Sequence, residues 1–253
     1  MQGVLAVMYR ESLIRRTSPV WLFFDLLVPL VYFLMFGVAL DRAIGLGFEI
    51  EGESVGYNVF FLAGVLSMAC FGSAINQSYG FFVDRENGIF YEFLTYPMTR
   101  SQFLLGKILF SCLMSVMQCI LVIATATMIL GITIQWEFLL LLFAAMIVGT
   151  AGWFFFLAIF AFLIRRNDTY NTVINVAYFV LMFLSSMFYP LERAPGWIRA
   201  AAAVNPATWH TDILRYLTIG VGETSTIVLK AILFSLFLFG SFWVAVRALR
   251  KAV

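Results

Sequence analysis

The sequence predicts an all-α integral membrane protein. It has six transmembrane helices, a helix lying on the inner surface before them, a short helix in an inner loop, and short broken helices before the last span. Two observations carry that class. Of 253 residues, 62% are hydrophobic and only 12% are charged, whereas a soluble domain is about half apolar and about a quarter charged. The apolar residues also fall into long runs, not the alternating segments of about ten residues that build a membrane barrel.

A helix needs roughly 20 apolar residues to cross the hydrocarbon layer. Six runs qualify: 20–40, 57–83, 108–130, 138–164, 170–189 and 226–246. Residues 1–18 precede them as an interfacial helix, with Arg10, Arg15 and Arg16 at lipid-headgroup level. Its polar face is not clean on a helical wheel. The first run is longer than the roughly 7–15 residues of a signal-peptide core and contains Asp25 and Pro29, so it reads as a retained span. Asp25 is a candidate for a structural ion pair with an arginine of the inner side.

The second run carries Gly64, Ser67, Gly72, Ser73 and Ala74, small enough to let helices approach closely. Asn76 and Gln77 in the same run either hydrogen-bond across helices or face a pathway. A minimal turn, 131–137, joins the third and fourth runs, and another, 165–169, joins the fourth and fifth. The stretch 190–225 is neither a plain loop nor a clean span. Pro190, Pro195 and Pro206 break it, and two short half-apolar helices between the breaks are expected to dip into the outer interface. Trp21, Trp136 and Trp243 fall near span ends, as interfacial tryptophan should. Lys107 and Lys230 lie near span ends, where they can snorkel.

Basic residues orient the chain. With both termini in the cytoplasm, the inner side holds Arg10, Arg15, Arg16, Arg85, Arg100, Lys107, Arg165, Arg166, Arg247, Arg250 and Lys251; the outer side holds Arg42, Arg193, Arg199, Arg215 and Lys230. The excess favours this orientation. The first outer loop agrees, with Asp41, Glu49, Glu51 and Glu53 against Arg42.

Several chemistries are absent. A net charge of +2 gives no case for nucleic-acid binding. Cys70, Cys112 and Cys119 lie inside apolar runs without metal-ligand spacing, as packing residues do. No phosphate-cradling Gly-Lys-Ser/Thr loop is present, so ATP hydrolysis by that route is excluded. His210 is the one histidine, which rules out a His-Glu-x-x-His zinc site. A serine–histidine pair between Ser185 or Ser186 and His210 can be drawn, but small helix residues and an interfacial histidine explain them more simply. No span has an acidic residue near its centre, where ion-coupled transporters usually carry one.

The most unusual stretch is "FFVDRENGIF", residues 81–90, where a long apolar run ends in Asp84, Arg85 and Glu86. Beyond it Ile89, Phe90, Phe93 and Leu94 form one face of a short helix, which Gly88 starts and Pro97 stops. Such a face needs the membrane surface or a groove on another protein. The pattern alone leaves both open.

The segment "DRENGIFYEFLTYPMTRSQFLLGK" resembles the cytoplasmic loop of type-2 ABC exporter permeases, whose pattern is matched here by Asp84, Arg85, Glu86, Gly88, Leu94 and Pro97. "NPATWHTDILRYL", with Asn205, Pro206, Asp212 and Arg215, resembles the family's second recurring stretch. The resemblance implies that residues 84–97 are a coupling helix docking on a separate ABC ATPase subunit. In that reading Phe90, Phe93 and Leu94 dock, and Arg85, Glu86 and Glu92 orient. It further implies a working unit of two permease chains and two ATPase chains in a prokaryotic inner membrane, with ATP and magnesium on the partner and no cofactor in this chain. The cargo would be an amphipathic drug, lipid or lipid-linked glycan moved outward. The competing readings are a self-sufficient channel or ion-coupled transporter, and an assembly factor that needs no lever.

Overall fold

The computed structural model describes residues 2–44, 48–50 and 53–251. The segment expected at the interface forms helix α1, Gln2–Thr17. The first span is a continuous helical run made of α2 (Pro19–Tyr32), a π-helical stretch (Phe33–Val38) and α3 (Ala39–Ile44). Strands β1 (Phe48–Ile50) and β2 (Glu53–Val55) follow as an antiparallel pair, Phe48 opposite Val55. Glu49 and Glu53 of the expected acidic loop sit on these strands, and Glu51 lies outside the described residues. The remaining long helices are α4 (Tyr57–Glu86), α6 (Arg100–Met128), α7 (Leu139–Leu163) and α11 (Thr224–Lys251). Shorter ones are α5 (Ile89–Phe93), α8 (Asn167–Phe183), α9 (Gly196–Ala203) and α10 (Pro206–Ile219).

Among the described residues, five helices are long and apolar enough to cross a membrane, within Leu22–Arg42, Tyr57–Glu86, Arg100–Met128, Trp136–Leu163 and Thr224–Leu249. The fifth apolar run differs from its expectation. Its helix α8 has 17 residues and stops at Phe183, about 26 Å at 1.5 Å per residue, slightly less than a hydrocarbon layer of about 30 Å. Serine chemistry ends it. Ser185 Oγ donates to the Met182 carbonyl at 2.6 Å and accepts from the Met187 amide at 3.3 Å, an alternative to the helix ladder. The chain then folds back, and the Met187 carbonyl passes so close to Gly64 that a Cβ there would lie 2.3 Å from it.

Helix α4 runs through the middle and packs on α6, α7 and α10. Buried aromatics fill the centre, with Trp153 stacked on Phe71 at 3.9 Å. The three cysteines are free and buried. In contrast, α2 and α11 leave most of their apolar length exposed on the isolated chain.

Pro29 sits inside α2 and brings no N–H for the carbonyl four residues back. That carbonyl belongs to Asp25, and Gln118 Nε2 on α6 donates to it at 2.9 Å. The Asp25 carboxylate lies 2.8 Å from Arg15 Nη1 and accepts from Asn76 Nδ2 at 2.8 Å. A polar junction thus joins α1, α2, α4 and α6 where lipid offers no water to satisfy them.

Candidate functional site

The charged loop lies at the C-terminal end of α4. The helix terminates through Asn87 and Gly88, whose φ of +78° is left-handed, a conformation glycine reaches without a Cβ clash. This reversal starts α5 at once. Further on, Thr99 and Gln102 form a reciprocal capping box that starts α6. Residues 84–99 are therefore a compact connection between two long helices.

Its apolar face is satisfied within the chain. Phe90 is 2% exposed and packs edge-on against Phe81 and Phe103, with ring centroids 5.7 and 5.3 Å away. Phe93 and Leu94 are half-buried, Phe93 tilted against Phe103. This corrects the expected docking role of Phe90, because a five-residue helix beside an aromatic bundle buries its apolar side there first. The exposed side consists of Glu86, Tyr91, Glu92, Thr95, Tyr96 and Pro97.

The charges anchor the loop to its surroundings. Arg10 of α1 holds Asp84 through both guanidinium nitrogens, at 2.9 and 2.6 Å, the bidentate geometry that makes such pairs strong. Lys107 Nζ of α6 lies 2.5 Å from Asp84 and 2.9 Å from Glu11. Burial alone would lower the Arg10 guanidinium pKa, but Asp84 and Glu11 raise it above its ordinary value. Lys107 is 1% exposed, so it is no snorkelling lysine; α6 begins at Arg100, two turns earlier, and buries it. Arg85 donates at 2.7 Å to the carbonyls of both Phe162 and Ile164. These lie at the C-terminal end of α7, where carbonyls lack helical partners and cations are favoured. Glu86 is exposed, 3.4 Å from Asn167 Nδ2 at the start of α8. Glu92 is exposed.

The second motif occupies the opposite end of the bundle. Asn205 caps α10, accepting from the Ala207 amide at 2.9 Å, and Pro206 takes the first helical position. Asn205 Nδ2 also donates to the Leu181 and Leu184 carbonyls at the end of α8. Asp212 accepts from Ser186 Oγ and Arg215 Nη1 at 2.6 Å and from Lys230 Nζ at 2.7 Å. Arg215 also donates to the Ser186 carbonyl and lies over the Phe60 ring. Neither Ser185 nor Ser186 meets His210, which is buried with its Nδ1 3.0 Å from Ser67 Oγ.

Glu11 and Lys107 belong to the charged cluster; the sequence reading passed over Glu11 and took Lys107 for a snorkelling lysine. A lone acid in a basic helix and a lone lysine in an apolar stretch each mark a buried charge that needs a partner, but neither names the other.

A multi-pass helical membrane protein with an ion-paired loop at one end and a capped, broken helical segment at the other is the class that this architecture defines. Residues 2–219 match the model of the ABC-2 type transporter family, and the chain belongs to that family as a transporter permease subunit. It is 25% identical over 219 residues to ycf38 of Cyanophora paradoxa, named as a transport permease, covering 86% of this chain and 74% of that one. It is likewise 25% identical over 227 residues to the daunorubicin resistance ABC transporter permease protein DrrB1 of Streptomyces coeruleorubidus, covering 87% and 76%. Members of the family work in general with an ABC ATPase partner.

Proposed function

We propose that this chain is the permease of an ATP-driven exporter that moves an amphipathic substrate outward across a prokaryotic inner membrane. Two copies pair with two ATPase subunits, which hold ATP and magnesium. Both termini and the 84–97 loop face the cytoplasm, and α8 serves as a short sixth span. The observation that carries this reading is the loop's construction. It is tied to α1, α6 and α7 through Asp84 and Arg85, while Glu92 and Tyr96 remain on its exposed side. A lever needs a fixed base and an exposed contact edge, and these features support that reading.

In this reading Tyr96 and Glu92 meet the ATPase, with Phe93 and Leu94 at the margin of the contact. Arg85 and Asp84 pass the displacement to the long helices. The homologue DrrB1 is named for daunorubicin resistance, which favours a drug-like or lipid-like cargo. Affinity purification of the tagged chain from its native membranes tests the proposal. A near-stoichiometric ATPase in the eluate supports it; an eluate with this chain alone and no ATP hydrolysis refutes it.

A further inference from the structure

A cavity of about 400 Å³ opens at the end of the bundle away from the charged loop, within the roughly 300–1,000 Å³ of small-molecule sites. Phe60, which helps line it, lies 24 residues before Asp84 on α4, about 36 Å at 1.5 Å per residue. Its lining includes apolar Leu191, Val221 and Ile227 and polar Ser186, Arg215 and Lys230.

The lining holds three carboxylates, Glu192, Asp212 and Glu223, against three cations, Arg199, Arg215 and Lys230, and hydrogen bonds engage Asp212 and Glu223. Asp212 accepts from Ser186, Arg215 and Lys230 together. Both Glu223 oxygens are engaged by Ser225 and Thr226 at the start of α11, at 2.7 and 3.4 Å. Arg215 is 5% exposed, and its buried Nε has no hydrogen-bond partner among the described residues. Such a donor is costly to leave unmet. Lys230 Nζ gives one bond to Asp212 and carries three protons, and Arg199 adds a third cation to the lining.

We propose that this cavity binds the anionic phosphate group of an amphiphile, with Arg215 and Lys230 holding the charge and Leu191, Val221 and Ile227 taking the adjoining apolar part. A free phosphate ion shares the headgroup chemistry without the apolar part. The assignment deepens the exporter reading and rests on it only in treating the cavity as a site on the outward route.

The test is equilibrium binding to the purified full chain in detergent, using dihexanoyl phosphatidic acid, inorganic phosphate and a hexyl trimethylammonium salt. Saturable binding of the phosphatidic acid is expected, weakened about tenfold in Lys230→Gln, as loss of a charge-assisted hydrogen bond implies, and retained in Lys230→Arg. Arg199→Gln, at an exposed position, should weaken it too while the chain still elutes as the wild type. Inorganic phosphate bound as tightly, with the same sensitivity, supports the anion site and names the free ion as its occupant. Absence of saturable binding by either anion, equal binding of the cation, or indifference to both charge-removing substitutions overturns the proposal. Co-purification of the ATPase is scored on the same preparations, so failure of the cavity and failure of the exporter reading give different results.

Discussion

Asp84 and Lys107 meet at 2.5 Å in the buried junction between α4 and α6, and Arg10 and Glu11 of the surface helix α1 close the cluster. Two cations and two carboxylates from three helices neutralise one another where water is scarce. Paired this way, burial is tolerable; removing one partner strands the others. The start of the charged loop is thus held by side chains from either side of it in sequence.

Lys107→Met should therefore be strongly destabilising, by about 3–5 kcal/mol on the scale of broken buried pairs. A thermal unfolding series in detergent would show a large fall in midpoint, with Lys107→Arg falling less. Equal midpoints for wild type and Lys107→Met would contradict the burial of the cluster.

Gly88 turns the chain at φ +78° with open space around its missing Cβ. Gly88→Ala should cost about 1–2 kcal/mol from backbone strain alone. Gly88→Asn should cost less, since asparagine tolerates the left-handed region. Unfolding midpoints ordered Gly, Asn, Ala are the expected result.

Gln118→Leu should leave the Asp25 carbonyl unsatisfied and cost about 1–3 kcal/mol. In a Pro29→Ala background the restored amide can serve that carbonyl, so the same substitution should cost much less. A double-mutant cycle measures the difference, and additive effects would show that Gln118 does not compensate for the proline.

Asn205 both caps α10 and donates to two carbonyls of α8. Asn205→Asp keeps an acceptor for the cap and loses the donors. Asn205→Ala loses both and should be the more destabilising, with the cap alone contributing about 0.5–2 kcal/mol. Comparing the two midpoints separates the cap from the inter-helix bonds.

Long apolar runs made the membrane helices legible, because lipid leaves a helix few alternatives. The end of α8 was less so. A run continuing to Tyr189 looks like one span, but the Ser185 hydroxyl and the Asn205 side-chain amide take backbone partners at its end, and the helix stops at Phe183. In the loop, the period of Ile89, Phe90, Phe93 and Leu94 identified a helix with one apolar face. It could not say what covers that face, and Phe81 and Phe103 of the neighbouring helices cover Phe90. Arg85, in contrast, was singled out from a motif, and its grip on the last carbonyls of α7 required the fold. Glu11 and Lys107 are far apart in sequence, so their pairing had no local signal.

The central claim is that the exposed side of residues 84–97 transmits force from an ATPase. Its most direct test is ATP hydrolysis by the co-purified complex with Tyr96→Asp and Glu92→Lys together, two exposed positions whose replacement leaves the Asp84 cluster intact. The account predicts a chain that stays folded in the membrane while the bound ATPase and its stimulated hydrolysis fall at least tenfold. Unchanged ATPase recovery and hydrolysis in that double variant would contradict it.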